Sequence, residues 1–108
     1  MNREEIKYEI LSFLERNPKT HLDAIKGHVE EILRQKGIIG RISEHQGGAI
    51  YTRTVRIDND IALYINEVIY DLLYQERILT PGVSRDNLDL PFLHVSKMEK
   101  LLGKLEKD

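Results

Sequence analysis

The sequence predicts a mostly helical α+β domain: three core helices, a C-terminal β-hairpin and a short C-terminal helix. Three observations carry that expectation. Apolar residues recur at helical spacing in four separate stretches. Two short apolar runs, Ile78-Leu79 and Phe92 to Val95, flank a polar segment that opens on Pro81-Gly82. The chain has 108 residues, 41% hydrophobic and 31% charged, which suits a single domain over residues 1–108 with one modest core.

The first helix is expected from Arg3 to Arg16, where Ile6, Ile10, Leu11 and Leu14 form one apolar stripe. Asn17-Pro18 ends it, because the residue before proline disfavours the helical basin. Thr20 or His21 opens the second helix, which runs to about Lys36. Thr20 suits the N-cap, and Asp23 lies in the first turn. Its stripe is Leu22, Ile25, Val29, Ile32 and Leu33, and Gly37 suits the position after the C-cap.

Residues 37–57 form an insertion or extended segment before the third helix. Gly47-Gly48 suits a turn, and Ala49 to Ile57 is rich in β-branched residues. A β-hairpin, an extended loop and a short helix from Ile38 to Gln46 all remain open. The third helix is expected from about Asp60 to Gln75, capped by Asp58, Asn59 or Asp60. Ile61, Ile65, Val68, Ile69 and Leu72 make its main stripe. Leu63, Tyr64, Tyr70, Leu73 and Tyr74 carry apolar character round most of its circumference, which points to a central or interfacial helix. Ser96-Lys97-Met98-Glu99 has the form of a capping box before a fourth helix with Met98, Leu101, Leu102 and Leu105 on one side.

The order helix, helix, helix, strand, polar turn, strand, helix resembles a winged helix-turn-helix domain of prokaryotic type. The most specific local likeness is Ile78-Leu79-Thr80-Pro81-Gly82 with Leu90-Pro91-Phe92-Leu93-His94-Val95. The resemblance implies a wing between those strands and a third helix that enters the major groove of DNA. The chain departs from the compact pattern in residues 37–57, where the family has a short turn.

Net charge is −2, but its distribution is uneven. From Arg34 to Ile57 the balance is +4, and from Asp58 to Leu79 it is −4. A third helix bearing Asp60, Glu67, Asp71 and Glu76 is a poor match to phosphate. The candidate nucleic-acid contacts are therefore Arg41, Thr52, Arg53, Thr54 and Arg56, with Arg85 and Asn87 in the wing. Arginine bonds phosphate or reads guanine, and threonine hydroxyls bond phosphate oxygens. The competing view is of ordinary exposed strand residues, and of Asp86-Asn87-Leu88-Asp89 as a turn sequence.

Catalysis is not expected. No serine lies in a nucleophile elbow, and no glycine motif cradles phosphate. The chain has no cysteine, which removes disulfides and Cys-ligated zinc and fits a reducing cytoplasm. His21, His28, His45 and His94 lack ligand spacing, so no metal and no other cofactor is expected. The N-terminal segment lacks the apolar core of a signal peptide, and no membrane span is expected.

Two functions follow as expectations. One is a DNA-binding winged helix, a transcription regulator or DNA-targeting domain, whose partner is double-stranded DNA. It would act as a homodimer joined by Met98, Leu101, Leu102 and Leu105, unless that stripe packs back onto the first helix. The other is a protein-interaction or dimerisation module without DNA binding, using the tyrosine face of the third helix.

Overall fold

A computed structural model describes residues 1–106, with residues 42–46 and 51 described by backbone alone. The elements in chain order are α1 (Arg3–Arg16), β1 (Lys19–His21), α2 (Leu22–Gln35), β2 (Gly40–Gln46) and β3 (Ala49–Val55). They continue with α3 (Asn59–Tyr70), β4 (Leu79–Pro81), β5 (Phe92–Val95) and α4 (Met98–Leu105). A π-helical turn over Asp71–Gln75 prolongs α3. Among the described residues the fold is α+β, with four α-helices and two small sheets.

Local chemistry explains most boundaries. Asn2 opens α1 with a capping box: its side chain accepts from the Glu5 amide at 2.8 Å, and the Glu5 carboxylate accepts from the Asn2 amide. At the other end the Asn17 side-chain amide donates to the Phe13 carbonyl. The N-cap of α2 is His21, not Thr20. His21 Nδ1 accepts from the Ala24 amide at 3.3 Å, while Thr20 lies in β1 opposite Leu93. At the end of α2 the Gly37 amide donates to the Arg34 carbonyl and the Ile38 amide to Leu33. This 5→2 and 6→1 pair is a Schellman motif, with Ile38 folded back on the core.

The insertion is a hairpin. Strands β2 and β3 pair antiparallel from Gly40↔Val55 to Gln46↔Ala49. Gly47 and Gly48 form the two-residue turn with φ +57° and +84°, as a type I′ turn requires. Asp58 caps α3 by accepting from the Asp60 amide at 2.7 Å. The α-helical pattern stops at Tyr70, five residues earlier than the periodicity predicts. There the chain widens into the π turn, and the adjacent residues Leu72 and Leu73 are both buried.

The second sheet has the order β1-β5-β4, all antiparallel. The capping box expected at Ser96 does not form. Ser96 Oγ instead bonds the Ile78 carbonyl and accepts from Thr80 Oγ1 at 2.8 Å, and Lys97 occupies the N-cap of α4 without a side-chain bond.

One core joins these parts. Ile6, Ile10 and Leu14 of α1 meet Ile25, Val29 and Leu33 of α2, and Ile65, Val68, Ile69 and Leu72 of α3 and its extension. Ile78, Leu79, Leu93 and Leu101 close it from the sheet and α4. The molecule measures 57 × 35 × 22 Å with a radius of gyration of 16.5 Å. A compact chain of this length has about 13 Å. The β2–β3 hairpin, an arm reaching roughly 20 Å from end to end, accounts for the elongation.

Candidate nucleic-acid interface

Strand periodicity sorts the arm's side chains. Arg41 pairs across from Thr54, and Thr52 lies two residues before Thr54, so these three share one face. Arg53 points to the opposite face, together with Val55. All of Arg41, Thr52, Arg53 and Thr54 are exposed, and Ile50 near the tip is 65% exposed. Arg56 is exposed just past the root, between the half-buried Val55 and Ile57. Five of the seven candidate contacts therefore belong to the arm or its root. The other two, Arg85 and Asn87, lie apart, in the connection between β4 and β5.

The connection from Gly82 to Pro91 folds tightly instead of extending. Val83 and Ser84 both donate to the Asn87 carbonyl, and Asn87 donates to the Ser84 carbonyl. Asn87 is half-buried and its amide also reaches Ser84 Oγ at 3.4 Å. Its polar groups are thus engaged in holding the turn, which is the competing turn-forming role. Arg85 is exposed at the tip. Gly82 is buried with φ +99°, and a Cβ there would lie 2.8 Å from the Leu88 carbonyl oxygen. Only glycine fits that crossing.

The acids that follow the basic segment are mostly neutralised inside the domain. Arg3 of α1 bonds Asp71 at 2.6 Å and lies 3.4 Å from Glu67. Glu76 accepts from Lys7 and Lys104. Burial alone would raise the Glu76 carboxyl, but the bond and charge of Lys104 and the charge of Lys7 outweigh it and hold it below its ordinary value. Two of the bases before the arm are also paired, Arg34 with Glu31 and Lys36 with Glu5. Arg41, Arg53 and Arg56 are exposed in the arm and at its root, and the paired Arg34 and Lys36 are exposed as well.

The outer face of α3 differs in kind. Leu63, Tyr70 and Tyr74 are 56%, 46% and 59% exposed. The two tyrosine rings stack with centroids 5.9 Å apart. Sequence periodicity signals this excess of apolar residues, but not which of them face outward.

The expected dimer stripe on α4 is corrected. Leu101 is fully buried, and Met98 and Leu105 pack against the same core, so they belong to the chain's own interior. α4 lies against α1, and of the four residues only Leu102 is exposed.

The described histidines serve structure. His21 caps α2, His28 stacks on Phe13 at 5.0 Å, and His94 bonds the Gly82 carbonyl at 2.6 Å. Among the described residues no group of His, Asp and Glu gathers as a metal site. No described helix is long and apolar enough to cross a membrane. The family models, curated proteins and solved structures contain no match to this chain.

Proposed function

We propose that this chain is a winged-helix domain that binds duplex DNA through its β2–β3 arm. The observation that carries the reading is the arm itself, a two-stranded ribbon standing off the body with Arg41, Thr52, Arg53 and Thr54 exposed along it and Arg56 at its root. The major groove admits a two-stranded β-ribbon, and arginine and threonine bond phosphates or base edges there. The glycine tip leaves the ribbon narrow where it enters. The order α1-β1-α2-α3-β4-β5, with β1 completing the small sheet, supports the winged-helix likeness. α3 does not act as the reader in this proposal, because Asp58 and Asp60 stand exposed at its N-terminal end, where they repel phosphate. Arg85 of the wing adds one peripheral contact. As a regulator or DNA-targeting domain, the chain reads duplex with its insertion in place of the usual helix.

The test is fluorescence anisotropy with a duplex of mixed sequence, titrated against salt. Binding should weaken steeply as salt rises, because each neutralised phosphate contributes a slope of about −0.9 in log K against log salt. Replacing Arg41, Arg53 and Arg56 together by alanine should flatten that slope by two to three such contributions. Absence of binding at low salt sinks the proposal. One observation favours a second reading: the exposed Leu63, Tyr70 and Tyr74 suit a protein contact, so a chain without DNA affinity is an interaction module.

A further inference from the structure

The two faces of the β2–β3 arm differ in chemistry. Alternate residues of a strand share a face, so Ile50, Thr52 and Thr54 of β3 stand in one row. Arg41 joins that row as the direct partner of Thr54. All four are exposed, Ile50 by 65% near the tip and Arg41 near the root. The described residues of the other face are Ala49, Arg53 and the half-buried Val55, so the small Ala49 is its one described apolar side chain near the tip. Arg53 has a contact within the chain, as does Thr52. Resting on the duplex reading above, we infer that the Ile50 face lies against the base edges of the major groove, where Ile50 contacts the 5-methyl group of thymine.

A two-stranded ribbon laid in the major groove turns one face to the bases and the other to solvent. Strand rise is about 3.3 Å per residue and base pairs are about 3.4 Å apart, so Ile50, Thr52 and Thr54 fall about two base-pair steps from one another. The charge of Arg41 suits the phosphates that border the groove, and the Thr54 hydroxyl suits a phosphate oxygen or a base edge. Ile50 can make no hydrogen bond. The apolar group that the four bases present in the major groove is the thymine methyl, whereas adenine, guanine and cytosine present donors and acceptors. Isoleucine is also stiff at its first side-chain torsion, so holding it against a methyl group costs little conformational freedom. The cation on the same face fixes the groove as the surroundings of that isoleucine, because an apolar partner alone would leave Arg41 unmatched.

Fluorescence anisotropy with two short duplexes reads this directly. One is alternating A and T; the other is the same duplex with deoxyuridine for every thymidine, which removes only the methyl groups. Wild type should bind the thymine duplex about fourfold more tightly, the worth of one methyl group taken out of water. This comparison needs no variant, so no loss of folding can imitate it. Ile50→Ala should bind the two duplexes equally, with the urea midpoint of wild type. Arg53→Ala, on the opposite face, should keep the fourfold preference whatever its overall affinity. A wild type that binds both duplexes alike overturns the inference and leaves duplex binding standing. So does a preference that survives Ile50→Ala, or one that disappears in Arg53→Ala. A wild type that binds neither duplex at low salt removes the duplex reading and this contact with it.

Discussion

The two hairpins of this chain, the β2–β3 arm and the β4–β5 hairpin, have opposite relations to the core. The β4–β5 hairpin is the shorter in strand length, yet it is anchored. β1 pairs with β5 from the other side, Leu79 and Leu93 are buried, and Gly82 is locked beneath Leu88. The arm has seven-residue strands and a well-formed turn, but its exposed residues lie on both faces. An isolated two-stranded hairpin is marginal in water. The contrast separates two jobs: the β4–β5 hairpin helps the domain fold, while the arm adds surface.

That contrast can be broken at several points. Leu93→Ala removes a fully buried side chain from the middle strand and should cost about 3 kcal/mol in urea denaturation. Ile50→Ala on the arm should shift the same curve by less than about 0.5 kcal/mol. Gly82→Ala should cost about 2 kcal/mol, from its backbone conformation and the clash with Leu88. The matching change at the arm tip, Gly47→Ala with Gly48→Ala, should leave the global midpoint nearly untouched while reducing duplex affinity. Equal losses from the two glycine experiments would show that the arm is part of the cooperative core after all.

Glu76 offers a test by pH. Its carboxyl is held below its ordinary value, so its ion pairs stabilise the fold at neutral pH and their contribution is lost as the carboxyl protonates in acid. Glu76→Gln should cost about 1 kcal/mol at pH 7, and the difference from wild type should shrink as the pH falls through the acid range and the carboxyl protonates. The smallest effect concerns binding. Arg85→Ala in the β4–β5 connection should change duplex affinity less than twofold, whereas Arg41→Ala should weaken it by about fivefold at low salt.

Helices were the most legible part of the sequence. The Asn17-Pro18 stop and the Ile6, Ile10, Leu14 stripe mark α1 from end to end. Gly37 marks the end of α2 because it serves the Schellman motif. β1 left no signal: three residues show no periodicity, and what makes them a strand is a partner more than seventy positions away. The same pairing moved the N-cap from Thr20 to His21. Ser96 reads as a capping box only while its hydroxyl is imagined free, and the fold gives it to Ile78. Residues 37–57 stayed open among three conformations because exposed strands lack the alternation that burial imposes. For the candidate site, sequence located the arginines but not their division between the arm's two faces. The apolar stripe of α4 was visible, but whether it faced a second chain or α1 depended on packing.

Gly40 and Val55 are direct partners across the ribbon. The arm therefore leaves the body and returns to it at nearly one point. The entropy of closing such an excursion grows only with the logarithm of its length. Lengthening the ribbon by a pair of residues, exchanging it for another, or reducing it to a tight turn leaves the geometry felt by α2 and α3 the same. The arm is a replaceable module, and its reach can vary without retuning the fold that carries it.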